Sequence, residues 1–198
     1  MLSLPNTLYI TDNDVSLDNL QYAYHEHGVR FVQVRSKTLS LSELKERITL
    51  IRKEFGAGEI ILTLNDDPVL AAELRLDGVH LGRSDVSVRL AREVLGDNKI
   101  IGVTINNVFD LQEVSKDSNV NEVSYLSFGP LRSSTTKSNL SPLLGFPGVS
   151  RLREEQVKLQ LYSLPSFVVG GVELADRVTL QSLGVYGIAA SKALYRRT

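Results

Sequence analysis

The sequence contains no cysteine. That removes disulfide bridges, thiolate zinc sites and cysteine nucleophiles, and it is compatible with a reducing, cytoplasmic setting. No uninterrupted apolar run approaches the roughly 20 residues that a membrane-spanning helix requires. The opening residues, MLSLPNTLYITD, lack the basic flank and long apolar stretch of a secretory signal. There is no surplus of charge either: 22 Lys+Arg stand against 23 Asp+Glu, so no global field attracts nucleic acid or an anionic membrane surface. Anion recognition must therefore be local, and the partners to expect are small molecules. No internal repeat, linker or low-complexity segment divides the chain. The 198 residues suit one domain spanning 1–198 with a sizeable core, and whether copies of it assemble is left open.

What is present is best read outward from the stretch LTLNDDPVLAAELRLDGVHLGRSD, residues 62–85. An apolar run ends abruptly at Asn65-Asp66-Asp67, and Pro68 sits where the first position of a helix would be, where its missing N–H costs nothing. Val69, Ala72 and Leu76 fall at helical spacing. Asp77-Gly78 is expected to close that helix before a second strand, Val79-His80-Leu81, and Gly82 to Asp85 opens another polar corner. A strand-helix-strand unit this compact predicts a right-handed parallel crossover, which brings both corners to the carboxyl end of the sheet. Asp66 and Asp85 are expected to face one another there.

The pattern repeats along the chain. Strands are expected at residues 8–11, 31–35, 99–104, 123–128, 166–169 and 185–189, beyond the two in the central unit. Between them lie helical periodicities. The clearest is Leu41, Leu44, Ile48, Ile51 and Phe55, opened by a Ser40/Glu43 capping box. Others are Leu17, Leu20 and Tyr24 up to Gly28; Val88, Ala91 and Leu95 up to Gly96; Val108, Leu111 and Val114; a helix around 148–161; Leu174 with Val178; and a last helix carrying Ala193 and Leu194 and ending in Arg196-Arg197. About eight strands alternating with about eight helices is the pattern of a compact (β/α)8 TIM barrel. The competitor, an open doubly wound sheet, more typically stops at about five or six strands.

Both architectures put ligands at the carboxyl ends of the strands, so the polar residues there form the candidate set. They are Gln33, Arg35 and Lys37; Asn65, Asp66 and Asp67; Asp85; Thr104 and Asn106; Ser134, Thr136 and Lys137; Gly170 and Gly171; and Ser191 and Lys192. Opposed carboxylates beside cations suit a magnesium-bound diphosphate, because Mg2+ takes about one or two carboxylates and completes its octahedron with phosphate oxygens and water. Arg35, Lys37 and Lys137 would neutralise the charge the metal leaves. The Gly170-Gly171 corner and the helix start after the eighth strand suggest a second anion site built on backbone N–H groups. Two anion sites on one face imply two phosphorylated substrates. Plainer readings stand beside these. Asp66, Asp67 and Asp85 could be helix caps, and Arg35 and Lys37 could pair with surface acids. The polar stretch from Leu131 to about Phe146 is too long for a simple connector and reads as a functional loop, although its Thr135-Thr136-Lys137 segment could be a solvated loop with no ligand. Gly170-Gly171 could be a tight turn, and His80 reads as a hydrogen-bonded barrel residue rather than a catalyst.

Several motifs in order carry a resemblance: Tyr9-Ile10-Thr11-Asp12, Val32-Gln33-Val34-Arg35-Ser36-Lys37, Asn65-Asp66-Asp67, Asp77-Gly78-Val79-His80-Leu81-Gly82 ending in Asp85, Ile101-Gly102-Val103-Thr104, Gly129-Pro130 with Thr135-Thr136-Lys137, and Gly170-Gly171. Over nearly its whole length the chain resembles the thiamine-phosphate synthase (thiamine-phosphate pyrophosphorylase) family, and more loosely the thiazole tautomerases. The resemblance implies a transferase that condenses 4-amino-2-methyl-5-(diphosphooxymethyl)pyrimidine with 4-methyl-5-(2-phosphoethyl)thiazole. It implies Asp66 and Asp85 as magnesium ligands, and Gln33, Arg35, Lys37, Asn65, Thr104 and Lys137 around the pyrimidine diphosphate. Ser134, Thr135, Thr136, Gly170, Gly171, Ser191 and Lys192 would surround the thiazole phosphate. Departures from the family pattern are Ser36 for a glutamate, Ser133 for a usual proline, exchanged hydroxyl residues at Thr104 and Ser134, Asn106 at the position of a frequent histidine, and Lys192 near a phosphate-binding serine. A tautomerase-like isomerase and a degenerate relative that binds a phosphorylated ligand without turnover remain the alternatives.

Overall fold

Eight short apolar runs become eight strands: β1 (Thr7–Ile10), β2 (Phe31–Val34), β3 (Ile61–Asn65), β4 (Gly78–Leu81), β5 (Ile100–Ile105), β6 (Tyr125–Phe128), β7 (Ser166–Val169) and β8 (Gly187–Ala190). In the computed structural model, which describes residues 4–56, 58–133 and 142–195, they pair in parallel in chain order and β8 pairs back onto β1. The closed ring decides between the two architectures in favour of the (β/α)8 barrel. Seven helices follow β1 to β7 in turn: α1 (Leu17–His27), α2 (Leu41–Phe55), α3 (Pro68–Glu73), α4 (Val88–Leu95), α5 (Val108–Lys116), α6 (Gly145–Lys158) and α7 (Asp176–Ser182). The capping box opens α2 as expected, with Glu43 N–H on Ser40 Oγ and Ser40 N–H on the Glu43 carboxylate at 2.8 Å. Gly28, at φ 62°, ends α1 in the left-handed conformation that glycine adopts without steric cost.

The central helix differs from its expected form. α3 stops at Glu73, and its buried face is Pro68, Leu70 and Ala71, while Val69 is 64% exposed. Arg75 takes a left-handed φ of 51°. The chain then doubles back, with Leu76 N–H on Ala71 O, so that Leu76 is buried from a turn rather than from a helix. Asp77 does not cap a helix either. Its carboxylate accepts from Leu62 N–H at 2.7 Å and from the Arg52 guanidinium at 3.0 Å, which fixes β4 against β3. In α7 the buried positions are Asp176 and Leu180, and Val178 is 76% exposed. The last helix is only a 3-10 turn, Lys192–Leu194, and Arg196-Arg197 lie outside the described residues. α6 starts at Gly145, three positions before the expected start.

Strand parity separates two environments. Tyr9, Val32, Leu62, Val79, Ile101, Leu126, Val168 and Ile188 pack outward beneath the helices. The opposite parity fills the barrel, and its lower tier is apolar: Leu8, Phe31, Ile100, Tyr125, Phe167 and Ala189 form one cluster. The rings of Phe31, Tyr125 and Phe167 meet edge-on at centroid distances of 5.4 to 5.9 Å, a favoured aromatic geometry. Gly102 makes this possible, because a Cβ there would lie 2.1 Å from Tyr125 Cζ. Above the aromatic tier the same parity is mostly polar, with Gln33, Thr63, Asn65, His80, Thr104 and Ser127 beside the apolar Ile10 and Val169. The apolar tier is thus a floor, and the polar tier is the base of the mouth.

Candidate active site at the barrel mouth

Two bonded pairs define the polar base. Gln33, only 3% exposed, donates its amide N–H to Asn65 Oδ1 at 2.7 Å. That leaves Gln33 Oε1 and the Asn65 amide group to face a ligand. On the other side His80 lies between Tyr125 OH and Thr104 Oγ1, each at 2.9 Å from one ring nitrogen. Burial pushes the Tyr125 phenol up, so it stays protonated. With Tyr125 donating to Nδ1, the His80 Nε2–H donates to Thr104, and the Thr104 hydroxyl keeps its own proton for an acceptor in the mouth. This tautomer pairs every buried proton in the string.

The strand ends carry the charged groups. Thr11 staples the end of β1 to that of β2: Arg35 N–H donates to its Oγ1, and that hydroxyl donates to Arg35 O, both at 2.9 Å. This sets the half-buried Arg35 at the rim, with Lys37 exposed beyond it. Ser36 is turned into the loop, its hydroxyl donating to Asn13 O at 2.5 Å and accepting from Leu39 N–H. Asp66 is exposed at a left-handed φ of 70°, and its N–H donates to His80 O at 2.8 Å, so it emerges against the end of β4. A non-glycine residue in that conformation costs about 1–2 kcal/mol. The capping role falls on its neighbour instead, since Asp67 accepts Leu70 N–H at 2.9 Å. Asp85 folds one carboxylate oxygen onto Gly82 N–H at 2.6 Å, and its Oδ1 has no partner among the described residues.

The second half of the mouth is built from β6 to β8. Gly170 and Gly171, at φ 88° and 63°, press against the segment after β6; Cβ atoms there would lie 2.6 Å from Pro130 and 2.9 Å from Arg132. Their carbonyls accept from Arg132 N–H and the Arg132 guanidinium, while neither glycine N–H is bonded among the described residues. Arg132 also forms a two-pronged pair with Asp176 at 2.6 and 2.8 Å, and Asp176 accepts Glu173 N–H. The hydrogen bonds from Arg132 hold the Asp176 carboxyl below its ordinary range. At the end of β8, Ser191 Oγ and Tyr195 OH lie 2.7 Å apart, and Lys192 is exposed.

The expected residues therefore fall into two groups. Gln33, Arg35, Lys37, Asn65, Asp66, Asp85 and Thr104 belong to the β2–β5 side, and Gly170, Gly171, Ser191 and Lys192 to the β7–β8 side. Ser134, Thr135, Thr136 and Lys137 lie outside the described residues. Asn106 is committed to the scaffold, its amide donating to Gly129 O and its N–H to Asp110. Sequence reasoning missed Thr11, Tyr125, Arg132 and Asp176. Arg132, a cation just after the end of β6, carried the same signal that singled out Lys37. Asp176 carried none, because it reads as an ordinary helix residue.

Comparison with known proteins agrees with this geometry. The family model described as thiamine monophosphate synthase matches residues 8–194. The thiamine-phosphate synthase of Bacteroides fragilis is 35% identical over 194 residues, covering 98% of this chain and 92% of that protein. That of Flavobacterium johnsoniae is 34% identical over 188 residues, covering 92% and 85%. Among solved structures, the thiamine phosphate pyrophosphorylase from Pyrococcus furiosus superposes with a TM-score of 0.75 at 21% identity, covering 95% of this chain and 86% of that one, a likeness of fold.

Proposed function

The chain belongs to the thiamine monophosphate synthase family, and on that premise we propose how its mouth performs the reaction. The reaction condenses 4-amino-2-methyl-5-(diphosphooxymethyl)pyrimidine with 4-methyl-5-(2-phosphoethyl)thiazole to give thiamine phosphate and diphosphate. The observation that carries the assignment is the near full-length correspondence with thiamine-phosphate synthases. The two-sided mouth supports it, with carboxylates and cations at one side and glycine N–H groups unbonded among the described residues at the other.

The carboxylates fit a magnesium ion shared with a diphosphate. Asp66 and Asp85 leave adjacent strands, and Asp85 keeps one oxygen unpartnered among the described residues. Two carboxylates are what Mg2+ takes when substrate oxygens and water complete its octahedron. No group of three or more His, Asp or Glu side chains converges among the described residues, so substrate would supply the remaining ligands. Held by Asp66 and Asp85, such an ion would offset the charge of the diphosphate and improve it as a leaving group.

The chain's own groups supply the rest. Arg35, Lys37 and Lys137 offset the charge that builds on the departing oxygen. The Gln33–Asn65 pair orients the aminopyrimidine, whose amino group and ring nitrogens complement two amides fixed by their mutual hydrogen bond. Thr104, with its proton available, donates to the same substrate. The Gly170 and Gly171 N–H groups, Ser134, Thr135, Thr136, Ser191 and Lys192 hold the thiazole phosphate so that the ring nitrogen faces the methylene carbon. The C–O bond to diphosphate breaks, the pyrimidine ring stabilises the methylene cation, and the thiazole nitrogen forms the new C–N bond. No side chain is consumed as a nucleophile. Isomerase chemistry finds no support at Asn106, whose amide has no titratable proton and is spent on Gly129.

The test is to incubate purified protein with both substrates and Mg2+ and to detect thiamine phosphate by mass. Product should appear, vanish with EDTA and return with added Mg2+. Absence of product from folded, magnesium-loaded protein would overturn the assignment. An undiminished rate in EDTA would overturn the metal site alone.

A further inference from the structure

At the opposite end of the barrel, beneath the amino ends of β7 and β8, lies a second cavity of about 220 Å3 that the reaction does not use. Its walls come from the α6–β7 and α7–β8 connections and include Arg153, Tyr162, Ser166, Gly184 and Tyr186. Arg153 is its charged wall residue, and no carboxylate lines it. The guanidinium is fixed from behind by Gln156. That side chain is fully buried, donates to Leu161 O and Leu164 O at 2.9 and 2.8 Å, and accepts from Arg153 Nη1. The guanidinium lies over Gly184, where a Cβ would meet Nε and Nη2 at 3.4 Å.

Two features of this lining are unresolved by the protein itself. Arg153 has no acidic partner among the described residues, and its buried Nε donates to nothing. Ser166, 1% exposed, has a buried hydroxyl with no partner among the described residues. A half-buried cation without a counter-ion among the described residues and a buried hydroxyl without an acceptor both cost free energy, and the partial burial pulls the Arg153 guanidinium below its ordinary value. One oxyanion in the cavity would relieve both.

We propose that this cavity is a binding site for a small oxyanion, a carboxylate or a phosphate, held by the Arg153 guanidinium and the Ser166 hydroxyl on the face opposite the active-site mouth. The proposal does not rest on the reaction assigned above. A planar fork of N–H donors favours either anion, and ligation there ties α6 to the start of β7 away from the chemistry.

The test is a heteronuclear NMR titration of the whole chain with inorganic phosphate and, separately, with acetate. The Arg153 Nε–H and the Ser166 and Gly184 amides should shift together along one saturating curve. In Arg153→Gln the affinity read at Ser166 and Gly184 should fall by about ten-fold or more, while the Gly170 and Gly171 amides at the mouth respond as before. Saturation by phosphate alone supports a phosphorylated ligand, and by acetate alone a carboxylate. If Arg153→Gln does not fold, Ser166→Ala decides, with an expected loss of about three-fold or more. Silence of the Ser166–Gly184 cluster toward both anions, or unchanged affinity in the folded variant, would overturn the proposal.

Discussion

At the scale of single residues, adjacent aspartates have different duties, and mutation should separate them. Asp67 caps α3, so Asp67→Ala should cost roughly 0.5–2 kcal/mol of stability and leave kcat nearly unchanged. Asp66→Ala and Asp85→Ala should lower kcat by about a hundred-fold or more, with thiazole phosphate binding retained. Steady-state kinetics beside denaturant unfolding read both quantities, and equal losses of catalysis at all three positions would contradict the division. The buried string gives a second test. Tyr125→Phe removes the hydroxyl bonded to His80 Nδ1, and a buried polar group that loses its partner costs roughly 1–3 kcal/mol, so the unfolding midpoint should drop. The sequence marks Asp66 and Asp67 equally. Only the left-handed turn at Asp66 assigns one to the mouth and the other to the helix.

At the scale of elements, the Arg132–Asp176 pair joins the segment after β6 to the start of α7 and sets the Gly170-Gly171 corner between them. Asp176 is nearly buried, whereas the Arg132 side chain is 41% exposed, so water screens part of the pair. Asp176→Asn should destabilise by roughly 1–2 kcal/mol at neutral pH and raise KM for the thiazole phosphate more than it lowers kcat. The pH dependence has a definite sign. The folded Asp176 carboxyl sits below its unfolded value of about 3.9, so its contribution is complete above that pH and is lost as pH falls through the lowered folded value. Unfolding curves of the parent and Asp176→Asn should therefore differ at pH 7 and converge in strong acid. α2 and α4 were legible from their periodicity and caps. In α3 and α7 the position was legible, including the Pro68 start of α3, but the buried face was not, because helices of six and seven residues bury whatever side the adjoining turns press inward. This is why Val69 and Val178 point to solvent despite their hydrophobicity.

At the scale of the whole molecule, the barrel depends on inward-facing positions of complementary size. Gly102→Ala would put a methyl carbon within the Tyr125 ring, displacing the aromatic tier and with it His80 and Thr104. A loss of about 3 kcal/mol or more is expected, measured by thermal unfolding, together with reduced activity in whatever protein remains folded. The eight apolar runs, their alternation with helices, the Asn65-Asp66-Asp67 corner and the Gly170-Gly171 turn were determined by sequence alone, because strand and helix periodicities and turn chemistry act over a few neighbouring residues. Closure of the ring was decided by β8 meeting β1, a pairing between the two ends of the chain that no local pattern contains. The same holds for the polar string from Tyr125 to Thr104, the Arg132–Asp176 clamp and the Arg153–Ser166 cavity. Each joins side chains on different strands or helices, so its geometry exists only once the barrel has closed.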